Sequence, residues 1–165
     1  MTNWKITIVC HGNIVRSQIL HRYLAHVLES RNVQVDLFSC GIAPVEAYPH
    51  AEAMLQDVQR TLNQRGLTVA LKRTAWSSEA ARRVAESDLV LVADSGIRAE
   101  ILSRVGVAPG KVISFYEFIG EGPRDYVDTY DPDQRRQDAE RYQQAFDELE
   151  RIAIIAADRI TVMMT

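Results

Sequence analysis

The stretch Ile6-Thr7-Ile8-Val9-Cys10-His11-Gly12-Asn13-Ile14-Val15-Arg16-Ser17-Gln18 decides how the chain folds. Residues 6–9 are a β-branched run with the composition of a strand, and from Gln18 onward apolar residues recur at helical spacing. A strand that passes through a tight loop straight into a helix leaves the free N–H groups of the helix start facing the loop. With the positive end of the helix dipole behind them, those groups make an anion site. Gly12 and Asn13 can take the left-handed backbone that such a cradle needs.

Two side chains make the anion site reactive. Cys10 ends the strand facing the helix start and Arg16, surroundings that favour thiolate over thiol and make it a nucleophile. Arg16 offers a planar fork for two oxygens of a phosphate-like group. The Ser17 hydroxyl is placed to cap the helix or to donate to the Cys10 sulfur as it leaves. Taken singly, a cysteine ending a core strand is ordinarily a small buried side chain, and Gly-Asn is a turn. Their conjunction with Arg-Ser and a helix onset points to attack on a bound phosphoryl group. The loop has no lysine, so it is not the nucleotide-binding loop that ends in Gly-Lys-Ser/Thr.

Around this unit, strand and helix patterns alternate. Helices are expected at residues 17–30, 50–65, 77–86, 97–105 and 133–163, the last one long and amphipathic. Strands are expected at 33–39, 89–93 and 111–115, joined by loops at 41–49 and 121–132. The apolar run at 89–93 is typical of a strand buried on both faces of a parallel sheet. The pattern predicts an α/β domain spanning residues 1–165, its sheet mainly parallel with helices on both faces. Ligands of such sheets lie beyond the carboxyl ends of the strands, where the Cys10, 39–49, Asp94 and Asp131 loops would gather. His21 and His26, five apart, do not share a helical face as metal ligands would, and both read as surface residues.

With 165 residues, 47% apolar and 25% charged, the chain has the composition of an ordinary globular protein. A net charge of −3 gives no general attraction to nucleic acid or acidic membranes. The first residues carry no basic segment before a long apolar run, and no run is long enough to span a bilayer, so a cytoplasmic protein without nucleic-acid or membrane partners is expected. Two cysteines, Cys10 and Cys40, make neither a disulfide framework nor a cysteine-rich zinc site.

The segment Val9 to Gln18 resembles the signature loop of the low-molecular-weight protein tyrosine phosphatases, Val-Cys-x-Gly-Asn-Ile-Cys-Arg-Ser-Pro. Further similarity lies in Phe38-Ser39-Cys40-Gly41, in residues 87–94 and in Asp131-Pro132. The resemblance implies a three-layer sandwich with a central four-stranded parallel sheet, flavodoxin-like, of the phosphotyrosine protein phosphatase I type. It also implies a metal-independent, cofactor-free phosphomonoester hydrolase working through a phosphocysteine.

In that scheme Cys10 attacks phosphorus, and Arg16 holds the phosphate or sulfate oxyanion with the loop residues His11, Gly12, Asn13, Ile14, Val15 and Ser17. Asp131 donates and then accepts the proton, with Asp128 as runner-up, while Asp125 reads as structural. Tyr48 and Tyr130, or Tyr126, would wall the pocket. The substrate implied is a phosphotyrosine protein or a small aryl phosphate, with phosphoarginine as another. Ile14 is similar to the tyrosine phosphatases rather than to the arginine phosphatases, which favour Thr there.

Several positions depart from the family pattern. Val15 replaces a cysteine, Gln18 a proline and Asp133 a tyrosine, and Lys72 stands near the position where the family often carries a histidine that hydrogen-bonds the loop-supporting serine. Ser39 and Asn13 remain as loop supports. Two other functions fit the same loop. One is arsenate reduction with an external thiol, since Cys40 alone cannot build an internal relay. The other is a catalytically weak oxyanion-binding module.

Overall fold

The computed structural model describes residues 3–126 and 139–165. Four strands, β1 (Trp4–Cys10), β2 (Val35–Gly41), β3 (Leu89–Val92) and β4 (Val112–Ser114), form one sheet in the order β2-β1-β3-β4. Every strand pair is parallel, with Cys10 opposite Gly41 and Val9 opposite both Cys40 and Val92. The helices are α1 (Arg16–Ser30), α2 (Ala51–Gln64), α3 (Ser78–Ala85), α4 (Ser95–Arg104), the single turn α5 (Phe115–Phe118) and α6 (Ala139–Met164). The architecture is the expected α/β sandwich around a four-stranded parallel sheet, flavodoxin-like.

β2 shows how the layers are divided. His21 of α1 meets Ser39, whereas Arg83 of α3 pairs with Asp36 and lies 4.8 Å over the Phe38 ring. Alternate residues of a strand face opposite sides, so α1 and α3 cover opposite faces of the sheet. Arg65 at the end of α2 bonds Tyr23 of α1 and Asp147 of α6, which puts these three helices on one face. Ile6, Ile8 and Val9 of β1 and all of β3 are buried between the layers.

The differences from the sequence pattern lie at element ends. The strand expected to run to Phe115 stops at Ser114, whose hydroxyl accepts from the Glu117 N–H and starts α5. The helix expected from Ile97 begins at Ser95, because Asp94 is its cap and accepts from the Ile97 N–H at 2.8 Å. His21 is not a surface residue. It packs between α1 and the sheet, where burial, with Arg22 beside it, lowers its pKa to about 4. Among the described residues no helix is long and apolar enough to cross a membrane.

Candidate active site

α1 and α2 start without a side-chain cap, unlike the three helices that follow. α3, α4 and α5 are capped by the side chains of Ser77, Asp94 and Ser114. α1 follows Val15, which offers no capping side chain, and its first turn has no acidic residue. Its first N–H groups are therefore left to a ligand, as in anion sites generally.

The loop before α1 wraps the Cys10 sulfur. Cys10 is 3% exposed, and its Sγ accepts from the Asn13 N–H at 3.2 Å and lies 2.9 Å from Ser17 Oγ. Asn13 Nδ2 donates to that hydroxyl at 2.8 Å, so the Ser17 hydrogen is free to point at the sulfur. Asn13 has φ 56°, the left-handed turn expected of it. Gly12 does not share that conformation. It is required by space, since a Cβ there would lie 2.8 Å from the Tyr48 ring. A Cβ on Gly41, at the end of β2, would meet the carbonyl oxygen of His11 at 2.7 Å and the backbone of Gly12 and Asn13 within 3.0 Å. The loop rests directly on that glycine.

Arg16 is buried, and its Nη1 donates to Asp94 Oδ2 at 3.1 Å and to the Tyr126 carbonyl at 3.0 Å. Asp94 thus fixes the guanidinium and caps α4 with its other oxygen. The sequence carries a sign of this residue, an Asp-Ser-Gly just past a buried strand on the ligand edge, yet its bond to Arg16 could not be read there. Asp125 is structural, accepting from the Ser95 N–H and hydroxyl at 2.9 and 3.2 Å.

Tyr48 packs against the loop. Tyr48 hydrogen-bonds His11 Nδ1 through its hydroxyl, with the two rings edge to face and their centroids 5.6 Å apart. Arg73 lies 5.4 Å over the Tyr48 ring and donates to the carbonyls of Gly12 and Val45, both at 2.9 Å. From His11 and Arg16 a cleft of about 500 Å³ opens between residues 42–47 and α4. Tyr126 does not line it as a wall. Tyr126 is 6% exposed and stacks on Tyr116 at 6.1 Å, because its phenol belongs to the core under α6. Ile14 and Val15 are buried, so only their backbone can face a ligand. Asp128, Tyr130, Asp131 and Asp133 lie outside the described residues.

Support from behind the loop also differs from expectation. The Lys72 side chain has no part in it. The Lys72 carbonyl accepts from Gln18 Nε2, and the Thr74 N–H donates to Asn13 Oδ1, each at 2.8 Å. Ser39 is tied to His21 at 2.9 Å. Cys40 pairs with Val9 and Cys10 with Gly41, which sends the two thiols to opposite faces of the sheet. Burial, with Cys10 nearby, pushes the Cys40 thiol up to about 12, so it stays protonated.

Residues 5–161 match the model of the low molecular weight phosphotyrosine protein phosphatase family. No curated protein matches the chain. Among solved structures, a YwlE mutant from Bacillus subtilis is 22% identical with TM-score 0.74, over 96% of this chain and 99% of its own. The YwlE arginine phosphatase from Geobacillus stearothermophilus is 23% identical with TM-score 0.71, over 97% and 94%. Vibrio vulnificus Wzb, solved with benzylphosphonate, is 23% identical with TM-score 0.65, over 95% and 96%. At these identities the likeness is one of fold, while the family match spans nearly the whole sequence and includes Cys10. The chain therefore belongs to the low molecular weight phosphotyrosine protein phosphatases and is a cysteine-based phosphatase.

Proposed function

We propose that the chain is a cytoplasmic, single-domain protein-tyrosine phosphatase whose nucleophile is Cys10. The observation that carries this reading is the sulfur at the base of an uncapped helix start. It accepts from the Asn13 N–H and faces the Ser17 hydroxyl, and Arg16, at the start of the same helix, is held by Asp94.

In the first step the Cys10 sulfur attacks phosphorus and the bond to the tyrosyl oxygen breaks. The leaving oxygen takes a proton from Asp131, a role that rests on the position of this residue before Pro132. The Arg16 fork and the loop N–H groups hold the three equatorial oxygens, whose charge spreads as the bonds change. In the second step water, losing its proton to the Asp131 carboxylate, attacks the phosphocysteine. Sulfur leaves towards the Ser17 hydroxyl, and inorganic phosphate departs. Cys40 faces away from Cys10 with its thiol protonated, so it offers no internal thiol for arsenate reduction.

Two features support tyrosine as the substrate residue. Tyr48, braced by His11 and Arg73, offers an aromatic ring next to the loop for a phenyl group. Ile14 stands where the arginine phosphatases favour Thr, a point of resemblance to the tyrosine phosphatases.

The test is hydrolysis of p-nitrophenyl phosphate in chelator, followed by a phosphotyrosine peptide and a phosphoarginine protein. Cys10→Ser is expected to abolish turnover and still bind phosphate. Phosphotyrosine is expected to exceed phosphoarginine in kcat/KM by at least about tenfold. The reverse preference would remove tyrosine as the substrate, and turnover by Cys10→Ser would remove the nucleophile.

A further inference from the structure

Gln18 is fully buried in the first turn of α1. Its Nε2 is surrounded by three acceptors: the Asn13 carbonyl at 3.2 Å, Asn13 Oδ1 at 3.1 Å and the Lys72 carbonyl at 2.8 Å. Its Oε1 is buried with no partner. An unmatched buried acceptor is costly, and an apolar side chain of similar volume would avoid that cost. The amide is therefore to be understood through what its nitrogen holds.

It holds Asn13 from two sides. Asn13 is the left-handed residue of the loop, its N–H reaches the Cys10 sulfur, and its Nδ2 fixes the Ser17 hydroxyl against the same sulfur. Asn13 Oδ1 accepts from the Thr74 N–H as well as from Gln18. One amide thus ties the turn that shapes the anion loop to the segment 72–74, from a buried position behind the loop.

We propose that Gln18 is a positioning residue of this site: it clamps Asn13 to residues 72–74 and so keeps the loop N–H groups converged on the oxyanion above Cys10. The proposal rests on the reading of Cys10 as nucleophile. It is tested without requiring turnover.

Gln18→Met keeps length and burial without a donor. Gln18→Pro removes the donor in another way, at a helix first-turn position that tolerates proline. Each variant is alkylated at neutral pH with iodoacetate, an anion that seats in the loop, and with iodoacetamide, which is neutral. Inhibition by inorganic phosphate and the melting curve are measured alongside. Loss of the clamp is expected to slow iodoacetate about tenfold while iodoacetamide stays within about twofold. The phosphate inhibition constant is expected to rise by a similar factor in a protein that still melts cooperatively.

An unchanged iodoacetate to iodoacetamide ratio in either folded variant would overturn the proposal, and so would an equal fall for both reagents accompanied by loss of the melting transition. A wild type that hydrolyses no phosphomonoester but shows the ratio, with its loss in both variants, would sustain the clamp and remove the phosphatase reading alone.

Discussion

Asp94 acts on two elements at once, with one carboxylate oxygen on the Arg16 guanidinium and the other on the first turn of α4. The roles separate by substitution. Asp94→Ser keeps a capping oxygen and Asp94→Ala does not, so the two are expected to differ by about 1 kcal/mol from the cap, while both are destabilised by leaving the buried Arg16 without its carboxylate. Both are expected to lower kcat/KM for p-nitrophenyl phosphate about tenfold or more, since a buried arginine without its carboxylate no longer holds its fork on the phosphate. Thermal melts with steady-state rates check this, and full activity in Asp94→Ser would dissociate the ion pair from catalysis. His21 gives a different prediction. Its pKa of about 4 lies below the ordinary 6.5, so the folded state binds fewer protons than the unfolded state between those values. Its contribution is therefore complete above about pH 6.5 and is lost as pH falls towards 4, in all about 2–3 kcal/mol. Denaturant melts across that range should show a steeper loss in wild type than in His21→Gln, and parallel curves would contradict a buried neutral imidazole.

At the scale of elements, the site exists because the start of α1 was left uncapped, with no acidic residue in its first turn, and one strand end was left without a side chain. Gly41 is the clearest case, because its missing Cβ is the space into which the backbone of His11, Gly12 and Asn13 fits. Gly41→Ala should lift the loop, destabilise the protein by about 2 kcal/mol and weaken phosphate inhibition about tenfold. Isothermal titration with phosphate and a urea melt measure the two effects, and unchanged phosphate affinity would show that the loop does not rest on β2. This contact was not legible from the sequence, where Gly41 was only part of a Ser-Cys-Gly similarity. The alternation of strands and helices was legible, because burial on two faces writes continuous apolar runs such as Leu89 to Val92, and α1 writes its spacing in Ile19, Leu20, Tyr23 and Leu24. Cys10, Asn13, Arg16 and Ser17 were legible as one constellation because they are close in sequence as well as in space. Asp94, Arg73 and the carbonyl of Lys72 reach the loop from more than 50 residues away, with separations of 78, 61 and 54 for their bonds to Arg16, Gly12 and Gln18, so only the folded geometry brings them together.

At the scale of the whole molecule, the loop is fastened to every layer around it. Gly41 supports it from β2, Asp94 from the start of α4, residues 72–74 from the connection after α2, and α1 continues from it under α6, with Arg31 paired to Asp158 across those two helices. A ligand that fixes the loop should therefore stabilise the fold as a unit rather than one segment of it. Binding to the folded state alone adds about 2.7 kcal/mol when the ligand is at about one hundred times its dissociation constant. For a chain of this size that is a rise of about 5–10 °C in melting temperature. Phosphate or vanadate should produce that rise in wild type, and phosphate should produce it in Cys10→Ser, which keeps the N–H groups and Arg16. Arg16→Met should abolish it, since the N–H groups that remain carry no full charge. Differential scanning calorimetry with chloride as the ionic-strength control measures the effect, and a saturating oxyanion that leaves the wild-type transition unmoved would mean that the uncapped start of α1 is not the phosphate site.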